Sequence, residues 1–275
     1  MKIEHSLIDL HCHILPGIDD GPRTMAESLE MCRVALSDGI KTIVASPHVM
    51  SPLHVSPDPD RITDALTGLM ECVDSGLEIV PGADVHAVPE ILDRLKMSRE
   101  GLTVNGGRYI LLEFSVFLTP AVMSGFIDRL LAEAVIPIVT HPERNPAIQD
   151  NPGLLFDLIQ CGAMAQITAM SVTGGFGEKA ESTAFALMKN NLAHIIASDA
   201  HDSRKRPPVL SEAVALAEEV VGGERARSMV VDYPRAVIED MKIEDLPSPT
   251  RPRRKRRRIF KTHKQVLAGI RKEAG

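Results

Sequence analysis

No two of the four cysteines, Cys12, Cys32, Cys72 and Cys161, form a Cys-x-x-Cys pair. That absence argues against zinc-finger and thioredoxin-like chemistry and for a reducing compartment. No arginine stands six residues after any of them, which excludes the Cys-x5-Arg phosphate loop of cysteine-based phosphatases; phosphate chemistry here needs another nucleophile. There is no charged start followed by an apolar core and cleavage site, and no apolar run of about 18 residues able to span a bilayer. The sequence therefore predicts a cytoplasmic protein without a transmembrane segment.

At 275 residues the chain is long enough for one large α/β domain or two small ones. Its formal charge of -6 hides an asymmetry: residues 1–250 carry 20 basic and 36 acidic groups, while the remainder carries 11 and one, from an acidic body to a tail of +10. After Leu246 a Pro-Ser-Pro-Thr-Arg-Pro linker leads into Arg253–Arg258, six consecutive cations. Such a run cannot pack and is read as a solvated, flexible tail over 247–275 that meets an anionic partner: lipid, nucleic acid, another copy of the body, or an acidic protein. No aromatics interleave it, so nucleic-acid readout gains no support.

The body alternates short apolar runs with helix-length amphipathic stretches. Strands are predicted at 6–12, 40–46, 77–83, 108–114, 136–140, 163–168 and 193–198, and helices near 24–37, 59–75, 88–97, 119–134, 152–161, 176–190 and 210–240. Each gap is long enough for a crossover helix, so the sheet should be parallel, and seven such units favour a closed β/α barrel over an open sheet.

The stretch from Ile8 to Gly21, Ile-Asp-Leu-His-Cys-His-Ile-Leu-Pro-Gly-Ile-Asp-Asp-Gly, organises the rest. Strand alternation would put Asp9, His11 and His13 on one face, with Leu10 and Cys12 on the other, Cys12 as a small core residue. A lone His-x-His does not separate a ligand pair from two structural histidines. The phase of the whole chain does. His11 and His13 end the first strand, His48 follows the second, Asp84 the third, Glu113 the fourth, His141 with Arg144 the fifth, and Asp199 with His201 the seventh. Six of seven strands thus end in a metal-type ligand, and a barrel brings those ends to one face. Imidazoles and carboxylates without thiolates suit manganese, iron or zinc, and eight donors suit two or three ions.

These residues, in this order, resemble the PHP (polymerase and histidinol phosphatase) superfamily of metal-dependent phosphoesterases. The phrases Asp-Leu-His-Cys-His, Ala-Ser-Pro-His, Pro-Gly-Ala-Asp, Leu-Glu-Phe, Thr-His-Pro-Glu-Arg, Gln-Ile-Thr-Ala and Ala-Ser-Asp-Ala-His, with Arg-Pro-Pro after them, are similar to those of the CpsB-like bacterial protein-tyrosine phosphatases, over about residues 6–240. The resemblance implies a distorted seven-stranded (β/α)7 TIM-like barrel and a PHP metal-dependent phosphatase domain over 1–246. It implies that His11, His13, Asp84 and Asp199 hold one ion, that His48, Glu113, His141 and His201 complete a second and third, and that the ion is manganese. Where the family has Glu in the Pro-Gly-Ala-x phrase, this chain has Asp84, one methylene shorter for bridging. The implied substrate is the phosphotyrosine tail of a tyrosine autokinase that regulates capsule or exopolysaccharide export.

Such a site would hold ions able to activate a water for attack on phosphorus, with no covalent enzyme intermediate expected. Arg144 and Arg206 are the candidates for pairing phosphoryl oxygens, Asp199 and His201 for proton transfer, and Asp9 for orienting a ligand imidazole. His86 is read as a rim residue and Ser171–Gly177, with three glycines, as a loop before a helix. The segment Met50–Asp60, rich in Ser, Pro and His, is a candidate rim loop. The rival readings are a phosphatase for a small phosphomonoester such as histidinol phosphate, a metal-dependent nuclease, and a non-catalytic regulator that captures a phosphorylated tail; a homo-oligomer is compatible with each.

Overall fold

The structure, a computed structural model, describes residues 6–51, 57–73 and 75–252. The cationic run Arg253–Arg258 and the centre of the Met50–Asp60 segment lie outside the described residues. The described residues form nine strands: β1 Leu7–Cys12, β2 Ile40–Ala45, β3 His48–Val49, β4 Glu78–Pro81, β5 Asp84–His86, β6 Tyr109–Glu113, β7 Ile136–Thr140, β8 Met164–Thr168 and β9 Ile195–Ala197. Every pairing is parallel, in a three-stranded sheet ordered β1-β2-β4 and a six-stranded sheet ordered β3-β5-β6-β7-β8-β9.

The expected single seven-stranded sheet is thus found as two. At the ends of the second and third predicted strands the chain breaks and a further short strand follows, β3 after Ser46-Pro47 and β5 after Gly82-Ala83. Pro47 has no N–H to give a ladder. At Gly82 the neighbouring chain comes so close that a Cβ would lie 2.5 Å from Val44 Cγ1. Each break hands the chain from one sheet to the other. The far edges meet at β1 and β9, where Asp199 N donates to His11 O at 2.8 Å and His13 N donates to Ala200 O at 2.9 Å.

Helices cover the outside. Met25–Asp38 starts in a capping box, Thr24 and Glu27 each accepting from the other's backbone N–H; Pro59–Cys72 starts with Asp58 as cap and proline in the first turn. The last set of helices predicted over 210–240 comprises Ser211–Val221, Gly223–Val230 and Asp232–Ile238, separated at Gly222 with φ +83° and at Val231. None of the described helices is long and apolar enough to cross a membrane.

Two apolar clusters follow from strand alternation. The larger fills the space between strands and helices. The smaller, containing Leu10, Val44, Val80, Leu111, Ile138, Met164 and Ile195, lies on the opposite face of the strands. It is covered by Tyr233, Val237, Ile238, Ile243 and Leu246. Beyond that cover the predicted linker lies against the body as far as residue 251: Asn191 Nδ2 donates to Ser248 O at 2.8 Å, Thr250 N donates to Asn190 O at 2.8 Å, and Arg251 pairs with Asp157 and lies 4.5 Å over the Phe156 ring.

His194 joins β9 to β8 twice: its N–H donates to Ala165 O at 3.0 Å, and its Nδ1 accepts from Ala165 N at 3.0 Å. Burial, with the Arg225 guanidinium nearby, pushes the imidazole down to about 4. The folded chain therefore holds this ring neutral, and the resulting stability is complete above the unfolded value near 6.5 and is lost as pH falls from there toward 4. The loss reaches up to about 3 kcal/mol. His194→Gln keeps an acceptor for Ala165 N and removes the titration. Urea unfolding in chelator should show the wild type losing more stability than the variant between pH 7 and 4.5; parallel slopes would refute this origin.

Candidate metal centre

On four strands the polar residue follows an interior apolar one by two positions: Leu111 then Glu113, Ile138 then Thr140, Met164 then Gln166, Ala197 then Asp199. Alternation sends each pair to the same side, so polar groups collect above an apolar floor at the C-terminal edge. β1 departs from this rule. Its register against β2 shifts between Asp9 and Cys12, so Leu10 packs in the inner cluster and Cys12 in the outer one. The predicted sharing of one face by Asp9, His11 and His13 is corrected accordingly: the two histidines converge, and Asp9 turns elsewhere. Cys12 is fully buried in the core as predicted, with burial pushing its thiol well up.

All eight predicted ligands come together. His11 Nε2 lies 3.1 Å from His13 Nε2, 3.6 Å from Asp199 Oδ1 and 3.8 Å from Asp84 Oδ2. His13 Nε2 is 3.4 Å from Asp199 Oδ1. His48 Nδ1 is 3.3 Å from Asp84 Oδ2 and 3.8 Å from Glu113 Oε2, and His141 Nε2 is 3.9 Å from Glu113 Oε1. His201 Nε2 faces Asp20 Oδ1 at 3.3 Å. Among the described residues four overlapping groups have metal-ligand geometry: His11, His13 and Asp84; Asp84, Glu113 and His141; His48, His86 and Glu113; and His13, Asp20, His48 and His201.

The donors fit cations on their own evidence. Gln166 Nε2 donates to Ile167 O at 2.8 Å, which turns its Oε1 toward His11 Nδ1 at 3.0 Å; Asp19 Oδ2 stands 2.7 Å from His13 Nδ1. Acceptors on both Nδ1 atoms fix the protons there and leave two Nε2 lone pairs aimed at each other. Only a cation or a proton relieves that contact. Asp84 Oδ2 is buried yet receives no well-directed hydrogen bond among the described residues, though two imidazoles approach it. Burial opposes charge on His13, but hydrogen bonds to Asp19 and Asp199 outweigh it and raise the imidazole to about 10. The carboxylates, in other words, demand positive charge at this point.

Backbone strain marks the same edge: His141 has φ +35° and Asp199 φ +51°, left-handed values that cost a non-glycine residue energy. Asp199 divides its oxygens. While Oδ1 faces His11 and His13, Oδ2 accepts from Arg144 Nη1 and, at 2.8 Å, from Arg206 Nη2, which also reaches Asp199 O at 2.9 Å.

Three sequence readings change. Asp9 binds no imidazole; it accepts from Ser198 N at 2.8 Å, from Ser198 Oγ, and from His11 N at 3.4 Å, so it ties β1 to the β9 end. The imidazole-orienting carboxylate is Asp19, which also accepts from His48 N at 3.0 Å. His86, read as a rim residue, is buried with Nε2 2.7 Å from Glu113 Oε2. Asp19 and Asp20 were visible as the Asp-Asp-Gly after the first strand but read as turn residues; His86 lay two positions beyond Asp84, which on a strand is the same face.

A family model described as "Capsular polysaccharide synthesis, CpsB/CapC" matches residues 7–239. The tyrosine-protein phosphatase YwqE of Bacillus subtilis (strain 168) is 34% identical over 257 residues, 92% of this chain and 99% of that protein. Tyrosine-protein phosphatase CpsB of Streptococcus pneumoniae is 29% identical over 245 residues, 86% of this chain and 100% of that protein. A crystal structure from the pair YwqE and CpsB, described as unique metal-dependent tyrosine phosphatases, aligns with a TM-score of 0.82 at 34% identity, covering 89% of this chain and 100% of that one.

The Asp19 contacts generate a prediction. Asp19→Ala removes the acceptor that holds His13 Nδ1 and frees the His48 backbone, so metal retention after identical dialysis should fall about 10- to 100-fold. Elemental analysis of the purified protein measures it, and wild-type metal content in the variant would contradict the role.

Proposed function

The chain belongs to the CpsB/CapC family, and from that premise we propose that it is a metal-dependent protein-tyrosine phosphatase of capsule or exopolysaccharide synthesis, hydrolysing the phosphotyrosine tail of a partner tyrosine autokinase. The observation that carries the reading is the double use of Asp199: one oxygen among converging ligand atoms, the other gathering two arginines at the same edge. A cationic centre beside bidentate donors suits a phosphomonoester, whose charge both can stabilise.

We assign His11, His13, Asp84 and Asp199 to one ion, and His48, Glu113, His141 and His201 to a second and third, with His86 and Asp20 added to the predicted set. Manganese is the ion we favour, iron and zinc being compatible with the same donors. Bound ions supply Lewis-acid chemistry, bringing coordinated water toward neutral pKa and neutralising phosphoryl charge. The parallel pairing of both sheets and the backbone bonds joining β1 to the Asp199 segment support reading them as one distorted (β/α)7 barrel of the PHP type.

The protein's own groups do the rest. Arg144 and Arg206 grip the phosphoryl oxygens with paired N–H donors. His201 directs Nδ1 at Asp199 O, 3.0 Å away, and burial holds the imidazole below its ordinary value. With Nδ1 on Asp199 O, the ring turns Nε2 into the group formed with His13, Asp20 and His48, 3.3 Å from Asp20 Oδ1, so we assign His201 to ion binding rather than proton donation, and likewise Asp199, whose carboxyl His13 and its neighbours hold well below the usual range despite burial. A phenolate, with a pKa of about 10, leaves without such help.

The test compares a phosphotyrosyl peptide with histidinol phosphate on metal-analysed protein. The peptide should be the better substrate, chelation should abolish turnover, and His141→Ala should lower kcat/KM more than about 100-fold with loss of bound metal. Preference for histidinol phosphate, or turnover that survives chelation, would overturn the proposal.

A further inference from the structure

Phe176 has no place in either apolar cluster. It sits half-exposed in the Thr-Gly-Gly-Phe-Gly loop, between Gly174 at φ +81° and Gly177 at φ +87°, conformations that let the chain turn out and back around one side chain. Its ring lies 4.5 Å from Arg144 Cζ and 5.6 Å from Arg206 Cζ, within cation–π range for both. Burial does not explain the ring; the two guanidinium groups do.

The arginines otherwise share a single anchor. Both reach Asp199 Oδ2, and two like charges held that close repel each other. A second carboxylate would hold them but would consume the N–H donors and repel an incoming phosphate. An aromatic face attracts the guanidinium plane through its quadrupole and takes no in-plane donor. Arg206 Nε still meets no acceptor among the described residues.

We propose that Phe176 is a positioning residue: its ring holds Arg144 and Arg206 together beside Asp199 with their donors turned toward the phosphoryl group. The inference rests on the proposed role of these arginines in phosphoryl binding, but not on tyrosine phosphate being the substrate. The loop is then more than a connection ahead of the helix Glu178–Lys189.

Inorganic phosphate binding to the metal-loaded full chain, followed by calorimetry, tests this without turnover. Phe176→Leu keeps apolar bulk and removes the ring; affinity should fall roughly tenfold, while metal content and thermal midpoint stay at wild-type values. Phe176→Tyr should restore it. In an Arg144→Ala/Arg206→Ala background, Phe176→Leu should add no further loss, since its effect passes through those side chains. With phosphotyrosyl peptide the same loss should fall mainly on KM. Unchanged phosphate affinity in Phe176→Leu, an additive effect without the arginines, failure of Phe176→Tyr to restore binding, or no phosphate binding by the wild type would each overturn the proposal. Phosphate binding that follows this pattern while the peptide is not hydrolysed would uphold Phe176 and reject the tyrosine phosphatase reading.

Discussion

The site depends on a bond between the two ends of the fold. Asp9 is fully buried near the start of the chain, and both its oxygens are taken by Ser198, 189 residues away. Burial pushes the Asp9 carboxyl up to about 6, while the Ser198 hydrogen bonds pull it down. Placing a carboxylate there is costly unless the partners are in position. It therefore acts as a register pin: with Ser198 held, Asp199 N reaches His11 O, Ala200 O reaches His13 N, and the Asp199 side chain comes to stand between the first-strand histidines and the two arginines. The left-handed φ of Asp199 is strain that this pin helps to hold.

Charge then follows from crowding. Burial alone would drive Asp84 and Asp199 toward the neutral acid, yet both stay well below the ordinary carboxylate range because imidazoles and guanidinium groups surround them. Burial, reinforced by the nearby Arg144 guanidinium, pushes His141 down to about 4, leaving a neutral ring with a lone pair to give. Ionised carboxylates beside a neutral imidazole such as His141 suit a divalent ion, while at His13, raised to about 10, a proton answers the same demand for positive charge. The same arrangement explains why removing one ligand should disturb all: Asp84 and Glu113 each belong to more than one ligand group.

How much of this was legible follows from what a strand's period can carry. The eight candidate ligands were readable because they recur at strand ends, and strand ends in a parallel α/β fold share a face whatever the closure. The breaks at Pro47 and Gly82 were not read, since a proline or glycine at a strand end looks like a terminator rather than a transfer between sheets. Asp9 was misassigned because alternation was applied across a register shift that only pairing with β2 reveals. Asp19 was passed over because Asp-Asp-Gly is also what an ordinary turn requires, and its contact with His13 Nδ1 depends on how that turn folds back. Phe176, an aromatic flanked by glycines, carried a signal of another kind: a bulky ring in a loop too flexible to bury it.

The direction of substrate entry follows from the floor of the site. Directly beneath Glu113, Thr140, Gln166 and Asp199 the interior is Leu111, Ile138, Met164 and Ala197, and the far end is shut where Tyr109 Oη donates to Met241 O at 2.7 Å and Arg108 pairs with Asp240. The low polarity of that floor strengthens each charge interaction above it. His11, His13 and Asp84 are fully buried, whereas the side chains of Arg144 and Arg206 keep 31% and 25% exposure. A phosphoryl group arriving from solvent at this edge meets Arg144 and Arg206 before it reaches His11, His13 and Asp84, which lie deepest.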